Sequence, residues 1–138
     1  MSLYKCEDEE QNNKINYDLS HRNILVVDDN PINQMITKRI LENKNATVMQ
    51  VDNGFDAIEI VKKTDFNIIL MDIHMPKMNG YETTKKIRIF NKKTPILALT
   101  ALKVDDNNND IYDAGMDGVI LKPFVLESFF KELNKYIK

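Results

Sequence analysis

The chain has 138 residues, 43% of them apolar and 29% charged, with a formal net charge of -2. That length supports one compact domain without disulfides or a structural metal, and that charge gives no general attraction to nucleic acid or anionic lipid. The single cysteine, Cys6, excludes an internal disulfide and a multi-cysteine metal site.

Residues 1–22 carry Glu7, Asp8, Glu9, Glu10, Gln11, Asn12 and Asn13 with scattered apolar residues, the composition of a solvated leader or linker. The domain is expected over 23–138. Short apolar runs then alternate with segments of helical period. The runs Ile24 to Val27, Thr47 to Val51, Ile68 to Met71, Ile96 to Leu99 and Val119 to Leu121 are continuous rather than alternating, which predicts strands buried on both faces. After the first run, Asn30 is a candidate N-cap and Pro31 a first helical residue, and Ile32, Met35, Ile36, Ile40 and Leu41 set a helical stripe. Helices are also expected over Gly54 to Lys63 and Gly80 to Phe90, and more weakly around Asp105 to Asp113, where Val104, Ile111 and Tyr112 are the few anchors. The last helix has the clearest stripe, formed by Leu126, Phe129, Phe130, Leu133 and Ile137. The longest uncharged apolar stretch, Thr94 to Leu102, has about half the length of a membrane span, and the acidic N-terminus does not resemble a signal peptide.

Five strands alternating with five helices imply an open α/β sheet, doubly wound, whose ligands bind at the carboxyl ends of the strands. The first strand ends in Asp28 and Asp29, the third in Asp72, the fourth in Thr100 and the fifth in Lys122 followed by Pro123. A polar residue after a strand is ordinary, but all five together form a chemical set. Carboxylates a few ångströms apart repel by roughly 4 kcal/mol per pair at an effective dielectric near 20, so they share protons or hold a cation. Mg²⁺ takes hard oxygen ligands of this kind and leaves positions for phosphate oxygens. Lys122 then serves as a point charge and Thr100 as a hydroxyl donor to a phosphoryl group, with Asp72, on the central strand, as the nucleophile that accepts it.

Asp28-Asp29, the stretch from Met71 through Asp72, His74 and Pro76 to Gly80, Thr100-Ala101 and Lys122-Pro123 resemble the receiver domain of two-component response regulators, in order and at about the family's spacing, over roughly Asn23 to Ile137. The resemblance implies a flavodoxin-like (βα)5 fold with a five-stranded parallel sheet of order 2-1-3-4-5. It implies that Asp72 takes a phosphoryl group from a phosphohistidine on a histidine kinase or histidine phosphotransfer protein. Asp29, Asp72 and the backbone carbonyl of His74 would bind Mg²⁺, Asp28 would assist through water, Lys122 would pair with the phosphorylated carboxylate and Thr100 would bond a phosphoryl oxygen. The Lys122-Pro123 bond would be cis, as is typical of the family. The wording around Asp28 and Asp72 is similar to receivers attached to hybrid histidine kinases or working in phosphorelays. Such a domain is cytoplasmic, catalyses its own phosphorylation and dephosphorylation rather than a metabolic reaction, and contacts neither nucleic acid nor membrane, even where a parent kinase is membrane-bound.

One departure stands out: Val119 occupies a position where the family often carries a rotating aromatic residue, so an aromatic flip is not its readout. His74 and Leu102, two residues after Asp72 and Thr100, are expected to shape access to the site, with the His74 side chain neither acid nor ligand. His21 reads as a linker histidine, Met75 and Met78 as loop packing, Asn107 to Asn109 as exposed surface. A phosphatase of the haloacid dehalogenase type also forms an aspartyl phosphate, but it needs a second Asp where His74 stands. A flavodoxin-like binding module needs a hydroxyl-rich loop where Asp28 and Asp29 stand. A receiver-like scaffold that carries no phosphate is the remaining rival, and the complete residue set argues against it.

Overall fold

The computed structural model describes residues 18–100, 109–122 and 126–137. Five strands, β1 (Asn23–Val27), β2 (Thr47–Val51), β3 (Ile68–Asp72), β4 (Ile96–Thr100) and β5 (Gly118–Leu121), alternate with helices α1 (Pro31–Glu42), α2 (Gly54–Lys63), α3 (Gly80–Phe90), α4 (Asn109–Ala114) and α5 (Leu126–Tyr136). All pairings are parallel and the strand order is β2-β1-β3-β4-β5. This is the expected flavodoxin-like order. Parallel neighbours cannot be joined by a tight turn, so each connection carries a helix across one face.

Alternate strand residues point to opposite faces, which explains the uninterrupted apolar runs. Ile24, Val26, Ile68, Leu70, Leu97, Leu99 and Ile120 pack with α1 and α5 through Leu41, Phe129, Phe130 and Leu133. Leu25, Val27, Ile69, Met71, Ile96 and Ala98 face the other way, against Ala57 and Val61 of α2, Ile87 of α3 and Ile111 of α4. The three inner strands are buried throughout, apart from Asn23 at the start of β1. The expectation of burial on both faces fails for β2, where Thr47 and Met49 are exposed and the rest only half-buried, and for Leu121 of β5. Both are edge strands, and one flank of each lacks a neighbour to exclude water.

Helix starts follow their capping signals. The Asn30 side chain accepts from the Ile32 and Asn33 amides, with Pro31 first in the helix; Asn53 caps α2, and Asn79 with Glu82 forms a reciprocal capping box on α3. The stripe of α1 is the main correction. Ile32, Met35 and Ile36 are 62%, 47% and 44% exposed, and the helix buries Thr37 and Leu41 instead. Apolar spacing marks a face but not what meets it, and the apolar packing of α1 on the sheet is made by its more C-terminal residue Leu41. The α5 stripe is buried from Phe129 to Ile137, while Leu126 stays exposed.

The residues just before Asn23 are held as well. Leu19 is buried in the α1 and α5 core, its amide donates to the Lys44 carbonyl at 2.6 Å, and the Arg22 carbonyl accepts from Thr47 at 2.9 Å. The segment 18–22 is therefore tied to the domain, and His21 takes a left-handed turn (φ 67°) that brings the chain into β1. The expectations for the acidic run, Cys6, Leu102, Val104, the early part of the fourth helix and the Lys122-Pro123 bond fall outside the described residues.

Two substitutions separate the buried face from the periodic one. Phe129→Ala is expected to cost about 3–5 kcal/mol in urea unfolding, whereas Ile32→Ala, at an exposed position of a comparable stripe, should stay within roughly 0.5 kcal/mol of wild type.

Candidate functional site

Strand register assembles the site. Val27 pairs with Met71 and Met71 with Ala98, so Asp28 and Asp72 occupy the next row together, Thr100 lies one row further out, and the Lys122 amide donates to the Thr100 carbonyl at 2.8 Å. Residues separated by up to 94 positions are thus gathered at one edge. Asp28, Asp29 and Asp72 each place a carboxylate oxygen within 4.8 Å of the others. Asp28 is fully buried, Asp72 is 6% exposed, and Asp29 faces solvent.

The positive partner demanded by this cluster is Lys122. Its Nζ lies 3.1 Å from Asp28 Oδ2 and 3.9 Å from Asp72 Oδ1, with its side chain largely buried. The other oxygen of Asp28 accepts the Asn30 amide at 3.0 Å, and Asp72 Oδ1 accepts the His74 amide at 3.2 Å. Burial pushes the Asp72 carboxyl up to about 6 and the nearby Asp28 charge adds to this, while Lys122 and the His74 amide pull it down. The group is therefore largely ionised at neutral pH but close to its switching range. Thr100 is buried beside it at 3% exposure.

The loop after β3 is shaped to let α3 begin against Asp72. Gly80 donates its amide to the Ile73 carbonyl at 2.9 Å, and a Cβ at that position would run into the Asp72 carbonyl and the Ile73 Cα. Within the same loop Lys77 takes φ 70° in a turn closed by the Met78 amide on the Pro76 carbonyl. Met75 and Met78 are buried and pack the loop down, as expected, and the His74 side chain is exposed. Val119 is half-buried against the α2, α3 and α4 core.

All six expected site residues, Asp28, Asp29, Asp72, His74, Thr100 and Lys122, come to this edge. Sequence reasoning did not single out Gln34 of α1, whose side-chain Nε2 donates to the carbonyls of Asp28 at 2.6 Å and Val51 at 2.9 Å. Its spacing is that of any half-buried helix glutamine, so no sequence signal distinguishes it.

Comparison with known proteins agrees with this geometry. A family model described as the response regulator receiver domain matches residues 24–134. The sensor histidine kinase GacS of Pseudomonas protegens is 35% identical over 105 residues, which is 72% of this chain and 12% of that kinase. The chain spans only 12% to 20% of the length of such curated relatives. The receiver domain of the sensor histidine kinase PA1611 from Pseudomonas aeruginosa, solved with a magnesium ion in its active-site cleft, is 31% identical with a TM-score of 0.77, covering 83% of this chain and 96% of that one. The receiver domain of Ssk1 from Saccharomyces cerevisiae, solved with the histidine phosphotransfer protein Ypd1, is 27% identical with a TM-score of 0.75, covering 86% and 90%.

Because the folded Asp72 carboxyl titrates near 6 rather than 3.8, the native state between those pH values holds a proton that the unfolded chain has released. The stability this contributes is complete below about pH 3.8 and is lost as pH rises through about 6. Asp72→Asn is therefore expected to raise the thermal midpoint at pH 7.5, by a free energy on the order of 1–3 kcal/mol, with a gain that shrinks toward pH 4.5. An equal gain at both pH values in thermal unfolding would contradict this origin.

Proposed function

Since the chain belongs to the response regulator receiver family, we propose that Asp72 is its phosphoacceptor, taking a phosphoryl group from a phosphohistidine on a histidine kinase or histidine phosphotransfer protein. The observation that carries this reading is Asp72 itself: an ionisable carboxylate, nearly buried, with two further carboxylates and an ammonium around it. An Asp72 oxygen attacks phosphorus in line as the phosphorus–nitrogen bond to the donor imidazole breaks. The imidazole leaves with the bonding pair and takes up a proton. Such transfer depends on positioning and charge neutralisation more than on covalent help.

The donor set suits Mg²⁺: three carboxylates within reach of one another, one of them open to solvent, offer hard oxygens without a closed cage. Asp29, Asp72 and the His74 carbonyl would hold the ion, and Asp28 would assist through water. When bound, Mg²⁺ supplies charge neutralisation on the carboxylates and the incoming phosphoryl oxygens. Lys122, already within 3.9 Å of Asp72, provides the second positive charge, and Thr100 provides a hydroxyl to a phosphoryl oxygen. Water attack on the acyl phosphate later returns the free carboxylate and inorganic phosphate, with the His74 side chain at the mouth of the site governing access.

The exposed apolar patch of Ile32, Met35 and Ile36 on α1 follows directly after the acidic loop, where a donor protein must lie to bring its imidazole to Asp72. Ssk1, a relative of similar fold, is seen with such a protein. The likeness to GacS supports a place within a hybrid kinase or phosphorelay, and a phosphohistidine donor of that kind would be met in the cytoplasm. We assign the domain to 23–138, with the short segment 18–22 packed against it and the acidic stretch before that as a linker.

With Mg²⁺ and a small phosphodonor, intact mass spectrometry is expected to show one phosphoryl adduct on wild type and none on Asp72→Asn or after chelation. Absence of an adduct on wild type would favour a non-phosphorylated scaffold. In a separate calorimetric titration, Asp29→Ala should weaken Mg²⁺ binding at least tenfold, roughly the loss expected on removing a ligand or its close support; unchanged affinity would remove Asp29 from the ligand set.

A further inference from the structure

We infer that Gln34 is a positioning residue for the acidic end of β1, its side-chain amide fixing the Asp28 backbone and hence the direction in which Asp29 leaves the strand. The inference rests on the proposed metal-assisted function, and its observations are independent of it. Both hydrogens of Gln34 Nε2 are committed, one to the Asp28 carbonyl at 2.6 Å and one to the Val51 carbonyl at 2.9 Å. Val51 also accepts the Asp28 amide at 3.2 Å, so the last rung between β1 and β2 is stapled from above by α1. Gln50 in turn donates to the Gln34 backbone carbonyl at 2.9 Å and holds that turn of helix over the strand ends.

Asp28 is thereby held at its amide, its carbonyl and both carboxylate oxygens, the last two by Asn30 and Lys122. Asp29 is different. Its exposed carboxylate makes no hydrogen bond or ion pair among the described residues, so its place in the acidic triad is set by the backbone that precedes it. A side chain at position 34 that cannot donate twice leaves the Asp28 carbonyl without this donor and frees the peptide that aims Asp29. Gln34→Met keeps the length and removes the donors. Gln34→Glu keeps the shape and sets a carboxylate against two carbonyls.

The test uses the full chain, with Mg²⁺ alone as probe. Gln34→Met and Gln34→Glu are expected to raise the Mg²⁺ Kd about tenfold, in the range seen when support behind a metal ligand is lost. Gln50→Ala removes a bond to the same helical turn but spares the Asp28 carbonyl, so it should lower the melting temperature while leaving Kd within about twofold of wild type. Wild-type affinity in Gln34→Met, or equal weakening in Gln50→Ala, would overturn the inference. If the two replacements at position 34 do not fold, Gln34→Asn, too short to reach both carbonyls at once, gives the same comparison. Hydrogen exchange at the Asp29 and Asn30 amides without metal separates the two levels of argument. Faster exchange in the variants sustains the positioning role even if wild type binds no Mg²⁺, which alone would end the functional reading, whereas unchanged exchange ends the positioning role.

Discussion

A buried aspartate facing a second carboxylate is the constraint around which this domain is organised. Asp28 has no solvent exposure and Asp72 very little, and they share one row across adjacent strands. Left alone, such a pair would bind a proton or unfold the strand ends. Lys122, brought from the far end of the chain by β5, offsets the repulsion by lying nearer Asp28 than Asp72. The unequal division leaves Asp72 as the less compensated carboxylate, and burial raises its proton affinity to about 6 against the pull of Lys122.

That imbalance connects folding to chemistry. A carboxylate fully neutralised by a lysine would be a poor site for further charge, and one wholly desolvated would stay protonated. Asp72 lies between these limits, ionised at neutral pH and only partly satisfied by the His74 amide and Lys122, which suits the proposed capture of a divalent cation and a phosphoryl group. The open side of the cluster, at Asp29, is where the fold supplies least restraint of its own. Capping and backbone hydrogen bonds take over there: Asn30 at the helix start, Gly80 at the close approach of α3, and Gln34 across the end of the first two strands.

The same economy shapes the surface. α1 covers the sheet with Leu41 and Thr37 and leaves Ile32, Met35 and Ile36 uncovered next to the acidic loop. Apolar side chains are common on protein surfaces, but three on one helical face beside the candidate site offer a partner something to bury. Val119, at the place of the family's usual aromatic switch, is packed against the α2, α3 and α4 side of the sheet, and any signal passing from Thr100 must move that packing rather than turn a ring.

Strand positions, helix starts and the identity of the acidic, hydroxyl and ammonium groups were legible in the linear chain because they depend on near neighbours. Apolar runs, the Asn30-Pro31 cap, and polar residues directly after strands act over a few residues, and alternating elements leave few topologies that a parallel sheet can adopt. What depended on distant contacts was not legible: that β2 lies at an edge and is half exposed, that the α1 stripe faces outward, that Leu19 belongs to the core, that Lys122 leans toward Asp28, and that Gln34 closes the end of β1. Each is decided by which surfaces meet after folding, and a periodic pattern specifies a face without specifying its neighbour.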